Sequence, residues 1–233
     1  MIERWNRDDS GVLHKDTLFL RAGKAGEYGI SVQYGTGSIY HAYFTYLCGL
    51  PDAELFEDRP DLFCGKSLVC MTEEWAWFLR KQPNLETVCL RRLMKPLRGK
   101  SVKEVSPLPS EYRLRPFDEE AFARKPYRHG SFYQSYEDFS RRGSGFVIWH
   151  GKDIVCSVSS HLSLGENVEL DVTTSEAHRR RGLADRCVAE MLNDCAERKL
   201  TVHWDAKNTP SMRMAQSHGF ELFQEYAVYC LKA

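Results

Sequence analysis

The chain has 233 residues, 42% hydrophobic and 27% charged, with 32 Lys+Arg balanced by 32 Asp+Glu. That length can hold one large domain or two modest ones, each with its own core. The even charge balance argues against a dedicated nucleic-acid binder, whose affinity depends on accumulated positive charge, and no stretch approaches the ~20 apolar residues that a membrane-spanning helix needs.

Met1–Asn6 opens with mixed charges and no apolar core, so no signal peptide is expected there. The eight cysteines (Cys48, Cys64, Cys70, Cys89, Cys156, Cys187, Cys195 and Cys230) include no C-x-x-C pair. They suit small core residues in a reducing compartment rather than a disulfide framework or a metal site, which points to the cytoplasm.

Taken in chain order, Thr17–Arg21 and Tyr28–Tyr34 read as strands, and Ile39–Leu50 and Met71–Lys81 as helices. The second helix opens at Thr72, with Glu73 and Glu74 in its first turn. Tyr34-Gly35-Thr36-Gly37-Ser38 is a plain turn rather than a phosphate loop, because a lone G-x-G is weak. Cys64-Gly65-Lys66-Ser67 imitates the end of a nucleoside-triphosphate loop, but Pro60 stands where that motif needs glycine. Leu93–Pro116 holds Pro96, Gly99, Pro107, Pro109 and Pro116 and suits a connector, so a boundary is expected near residue 108, dividing the chain into 1–108 and 109–233.

Beyond it, Tyr112–Arg115 is a short strand, and Asp118–Lys125 and Tyr136–Arg142 are helices. Phe146–His150 and Ile154–His161 flank Gly151-Lys152-Asp153 as a hairpin. Val168–Thr173 alternates, with Val168, Leu170 and Val172 on one face and Glu169, Asp171 and Thr173 on the other. A helix after Gly182 aligns Leu183, Cys187, Val188, Met191, Leu192 and Cys195 in one stripe. Leu200–Trp204 and Ala227–Leu231 are the last strands.

A strand, a crossover helix and a strand within so short a span form a βαβ unit, so 168–173 and 200–204 should run parallel. Ligands of such sheets collect at the carboxyl ends of the strands, beside a helix N-terminus. Here that corner carries His178-Arg179-Arg180-Arg181-Gly182-Leu183-Ala184. Three arginines at a helix start oppose its macrodipole. A phosphate-bearing anion would relieve the conflict, meeting backbone N–H groups near Gly182–Ala184. A solvated basic turn is the bland alternative.

Arg179-x-x-Gly182-x-Ala184, followed after the next strand by Asn208-x-x-Ser211 and Gly219-Phe220, resembles the GNAT superfamily of acyl-CoA-dependent N-acyltransferases. The cofactor motif of that superfamily has the form (Gln/Arg)-x-x-Gly-x-(Gly/Ala). Gly145-Phe146, 168–174, 181–184, His203-Trp204-Asp205-Ala206-x-Asn208-x-x-Ser211 and Glu225-Tyr226-x-x-Tyr229 look similar to the branch of zwittermicin A resistance acetyltransferases. The resemblance is strong over 110–233 and diffuse before it.

It implies an α/β fold: a mixed, mostly antiparallel sheet with a central parallel pair that splays, preceded by an N-terminal α/β domain. It implies acetyl-CoA as cofactor, with Arg181, Gly182, Leu183 and Ala184 on the pyrophosphate and Arg179 alongside. The backbone of Leu170, Asp171 and Val172 would pair with the pantetheine arm, and Asn208 and Ser211 would bond the arm or the departing thiol. The acceptor would be a small-molecule amine, held where the N-terminal segment meets the C-terminal half, in a monomer or homodimer. A peptide acceptor, or a module that binds CoA without turnover, are the rival expectations.

An amine of pKa near ~10 must lose a proton before it attacks a thioester. Holding both reactants in line can supply much of the rate, so direct transfer in a ternary complex is expected. Glu169 is the preferred base, with Asp171 and His203 eligible; a structural ion pair and a packing role are their plain alternatives. Where many members of the superfamily carry a tyrosine to protonate the thiolate, this chain has Ala215, leaving Ser211 or Tyr226 as substitutes. The aromatics Tyr40, Tyr43, Phe44, Tyr46, Trp75 and Trp77 could line a pocket or form a core.

Overall fold

The computed structural model describes residues 31–41, 44–97, 103–130 and 133–233. The strand expected at Thr17–Arg21, residues 28–30 and Tyr43 lie outside them. In chain order the elements are β1 (Ser31–Tyr34), β2 (Gly37–His41), β3 (Thr45–Cys48), α1 (Ala53–Asp58), β4 (Ser67–Cys70), α2 (Glu73–Arg80) and β5 (Leu85–Pro96). Then follow β6 (Tyr112–Pro116), α3 (Glu119–Arg124), α4 (Tyr136–Arg142), β7 (Gly145–His150), β8 (Asp153–Leu164) and β9 (Asn167–Thr174). The chain ends with α5 (Leu183–Glu197), β10 (Thr201–Ala206), α6 (Thr209–Ser217) and β11 (Phe220–Leu231).

Two compact units divide the chain, and neither is continuous in sequence. The first takes Met1–Leu93, Ala206–Asn208 and Phe223–Ala233; the second takes Met94–Asp205 and Thr209–Leu222.

In the first unit the strand order is β1-β2-β3-β4-β11-β5. β1 and β2 form a hairpin in which Tyr34 opposes Gly37, so Gly35-Thr36 is a turn, as expected, but it leads into a strand and not a helix. A Cβ on Gly37 would strike the Tyr34 ring at 2.3 Å, which explains the second glycine by packing. The helix expected at Ile39–Leu50 is instead β2 and β3, paired through Ile39–Leu47 and Tyr40–Tyr46. Ile39, Tyr40, Phe44, Tyr46 and Leu47 are all buried, and a fully buried strand loses the alternation that would separate it from a helix. Tyr40, Phe44 and Tyr46 therefore serve the core, packing with Val69, Leu93, Tyr226 and Val228.

α2 follows the expected bounds within two residues at its start and one at its end. Trp75 is completely buried beside Phe63 and Leu79, and its Nε1 donates to the Tyr34 hydroxyl at 3.1 Å. That hydroxyl in turn donates toward the Cys48 and Leu50 carbonyls. Trp77, on the same helix, is 62% exposed, with the Lys81 ammonium over its ring.

The second unit orders its strands β10-β9-β8-β7-β6. β6 to β9 are antiparallel neighbours, and β9 runs parallel to β10 as the βαβ pattern requires. His150 opposes Asp153, so the β7–β8 hairpin turns on Gly151-Lys152, with Gly151 at φ +59. α4 keeps its expected bounds, and Ser135 caps it by accepting from the Asp138 N–H. Every residue of the stripe expected on α5 is buried, and the helix lies across β7, β8 and β9.

Val147 and Trp149 join Phe117, Ala121, Phe122, Tyr133 and Phe139 in a core cluster under α3 and α4. Directly opposed residues share a face, so the pairs Val147–Ser157, Ser157–Thr173 and Ser159–Asp171 carry that face across to β9. There it turns polar. His129 is buried on it, with Nδ1 2.9 Å from the Ser157 hydroxyl and Nε2 3.6 Å from Asp171 Oδ2.

Replacing Trp75 by alanine should cost about 3–5 kcal/mol, since it removes a buried indole and one donor to Tyr34; urea denaturation measures it. Burial, partly opposed by the nearby Asp171 carboxylate, lowers the His129 imidazole from 6.5 to about 4. An unfolded chain therefore binds the extra proton first, and stability should fall as pH drops from 6.5 toward about 4. The pH slope of the unfolding free energy should be shallower in His129→Asn across that window. An identical slope would show that His129 does not titrate this way.

Candidate active site

The anion corner is built by the chain leaving β9. A 3-10 turn at Glu176–His178 is followed by extended Arg179, then Arg180 at φ +61 and Gly182 at φ +75. α5 begins at Leu183 with Gly182 as its cap, and the glycine has no side chain to bond the first turn. The first intrahelical bond runs from the Arg186 N–H to the Gly182 carbonyl, so the N–H groups of Leu183, Ala184 and Asp185 have no helical acceptor. A Cβ on Gly182 would meet nothing within 4 Å, and Arg179, Arg180, Arg181 and Gly182 are all exposed. Glycine is needed here for its positive φ, and it leaves the backbone bare.

Neighbouring side chains hold the corner. Leu183 is buried and anchors the first turn. The Tyr112 hydroxyl lies 2.9 Å from His178 Nδ1, and Arg179 Nε donates to the Thr174 carbonyl at 3.3 Å. Asp185 would set a negative charge in the first turn, but its carboxylate meets buried His218 Nε2 at 3.0 Å and Lys103 Nζ at 3.3 Å. Sequence reasoning missed Tyr112, Asp185 and His218, and gave His178 only a place in the turn, because each is joined to a partner far along the chain. An uncapped N-terminus, bare glycine backbone and three exposed arginines suit the diphosphate of a nucleotide.

Beside this corner the parallel strands part. β9 and β10 are joined at Thr201–Asn167, Val202–Val168 and His203–Glu169, and no pair among the described residues joins them farther on. β9 continues along β8 to Thr174. The edge of Leu170–Val172 that faces away from β8 is thus left without a strand, a place where an extended chain of amide groups can bond as a strand would. On β8 a bulge between Ser160 and Leu162 lies opposite Leu170 and Glu169.

Glu169 is only 7% exposed, on the polar face with Asp171. His203 Nε2 lies 2.9 Å from the Asn167 side-chain oxygen, so the imidazole is engaged within its own strand pair. Ser211 sits in the first turn of α6, where its hydroxyl accepts from Trp204 Nε1 at 3.0 Å. Ala215 is completely buried.

Asn208 and Tyr226 fall in the first unit. Asn208 is exposed, whereas Tyr226 is buried in the aromatic cluster, edge-on to Phe44 at 6.0 Å. The helix thiols are no nucleophiles: burial pushes Cys187 well up and Cys195 to about 11. Among the described residues no group of His, Cys, Asp and Glu is arranged to hold a metal ion, and no helix is long and apolar enough to cross a membrane.

Comparison with known proteins agrees with this geometry. The family model described as GNAT acetyltransferase matches residues 30–229. An uncharacterized N-acetyltransferase of Bacillus subtilis, YdfB, is 31% identical over 148 residues, which cover 60% of this chain and 56% of that protein. The chain thus matches little more than half the length of that curated relative. Among solved structures, a GCN5-related N-acetyltransferase-like protein from Streptococcus suis shares the fold with a TM-score of 0.75 at 23% identity, covering 99% of this chain and 98% of that one. A GCN5-related N-acetyltransferase from Sphaerobacter thermophilus gives 0.58 at 13% identity, with 97% and 87% covered. With the family model matched along most of its length, the chain belongs to the GNAT acetyltransferase family.

Proposed function

We propose that this chain transfers an acetyl group from acetyl-CoA to an amine of a small molecule, by direct transfer in a ternary complex. One observation carries the proposal: an uncapped helix N-terminus with bare Gly182 backbone stands beside a parallel strand pair that parts after Glu169 and His203. Acetyl-CoA supplies the activated thioester. The N–H groups of Leu183 and Ala184, with Gly182 and Arg181, receive its diphosphate, and Arg179 lies alongside. The backbone of Leu170, Asp171 and Val172 holds the pantetheine arm. Asn208 belongs to the same cofactor set.

Glu169 takes the proton from the attacking amine, directly or through water. It is nearly buried and stands where the parallel strand pair parts, which is the position the role needs. Ser211, oriented by Trp204, is the preferred donor to the departing thiol, with Tyr226 the remaining substitute. His203 serves as a positioning group through Asn167.

The acceptor in the zwittermicin A resistance branch is amino-bearing, and the blocks shared with that branch support a metabolite or antibiotic as substrate here. Residues 109–233 would carry the cofactor, with 1–108 as a separate N-terminal domain. Buried Ala215, in place of a family tyrosine, favours one rival reading, a CoA-binding module without turnover.

Gly182→Glu should abolish CoA binding by setting a carboxylate against the diphosphate, and titration calorimetry reads it; unchanged affinity would refute the site. Glu169→Gln should lower turnover at least tenfold and flatten its rise with pH while CoA affinity stays within about threefold. A fully active variant would remove Glu169 from the mechanism. Thiol release, tested across peptides, alkylamines and amino sugars, separates a small-molecule acceptor from a peptide one. CoA binding without release to any of them would favour the module.

A further inference from the structure

The polar face beside Glu169 holds a second carboxylate that the transfer reaction does not use as a base. Asp171 lies two residues on along β9, on the same face and ~7 Å farther down the strand. Its side chain is 52% exposed. Among the described residues its one ionic neighbour is His129, and no lysine or arginine answers its charge.

His129 cannot supply that charge near neutral pH, because burial holds it neutral down to about 4. A neutral imidazole carries one ring hydrogen. In the tautomer in which Ser157 donates to Nδ1, that hydrogen sits on Nε2 and faces Asp171 Oδ2 at 3.6 Å. Nε2 is buried and has no hydrogen-bond partner. The imidazole thus borders Asp171 on its buried side without neutralising it, and the other side of the carboxylate opens to solvent.

Asp171, open to solvent on one side and bounded by a neutral imidazole on the other, can take a cation from the open side. The backbone role proposed for Asp171 does not compete, because strand hydrogen bonds run in the plane of the sheet and side chains leave it.

Resting on the acetyl-transfer reading above, we propose that the acceptor is a diamine: one amino group lies against Glu169 for acetylation, and Asp171 binds the second as an ammonium. His129 is the positioning residue that bounds the Asp171 carboxylate on its buried side, itself in contact with Ser157. A monoamine of the same length fills only half of this arrangement.

The test compares kcat/KM for diaminoalkanes of four and five carbons with n-alkylamines of equal length, using the full chain and acetyl-CoA. The native protein should favour the diamines at least tenfold. Asp171→Asn should bring that ratio to within twofold of unity, and Asp171→Glu should restore part of it. His129→Asn should raise KM for the diamines several-fold while their kcat moves little, a split that a folding defect would not produce. Equal native rates for both classes, or a preference that survives Asp171→Asn, overturns the assignment and leaves acetyl transfer standing. Absence of thiol release with every acceptor overturns the transfer reading and this assignment with it.

Discussion

β9 is bonded along β8 for its whole length but along β10 for only three residues, and the candidate site follows from that inequality. Where two strands separate, each is left with amide groups that need partners. The separation begins at Glu169 and His203, close to the turn that sends the chain into α5. An uncapped helix and an unpaired strand edge are both costly in isolation. Placed together they match a ligand with a diphosphate at one end and amides along its arm. On the proposed reading, a nucleotide-linked thioester would bond both backbone features together.

The second half of the chain was legible because its signals are local. Val168–Thr173 alternates, the α5 stripe has a helical period, and Gly151-Lys152 makes a two-residue hairpin turn. The first half resisted because β2 and β3 are buried along most of their length. Ile39–Leu50 has the apolar density of a helix, and only the pairing of Ile39 with Leu47 shows the turn between strands. The strands at Ser67–Cys70 and Leu85–Pro96 escaped notice for related reasons: one is four residues long, and the other ends in what composition marks as a connector.

At the site, the residues that offer backbone were readable from glycine spacing and charge. Those that hold other side chains in place were not. Asp185 meets His218, Tyr112 meets His178, and His129 meets Ser157, each across a long stretch of chain. No spacing rule connects such partners.

β11 contributes its later residues to the first unit, where Val228 stands opposite Val69 and Tyr229 opposite Leu68. The sheet of that unit therefore has a gap between β4 and β5 until residues 223–231 have been synthesised. Contacts this remote in sequence make for slow folding. During translation the edge of β4 stays exposed to other chains, a hazard that chaperones manage in the cell. The two halves of this protein cannot mature one after the other in the order in which they are made.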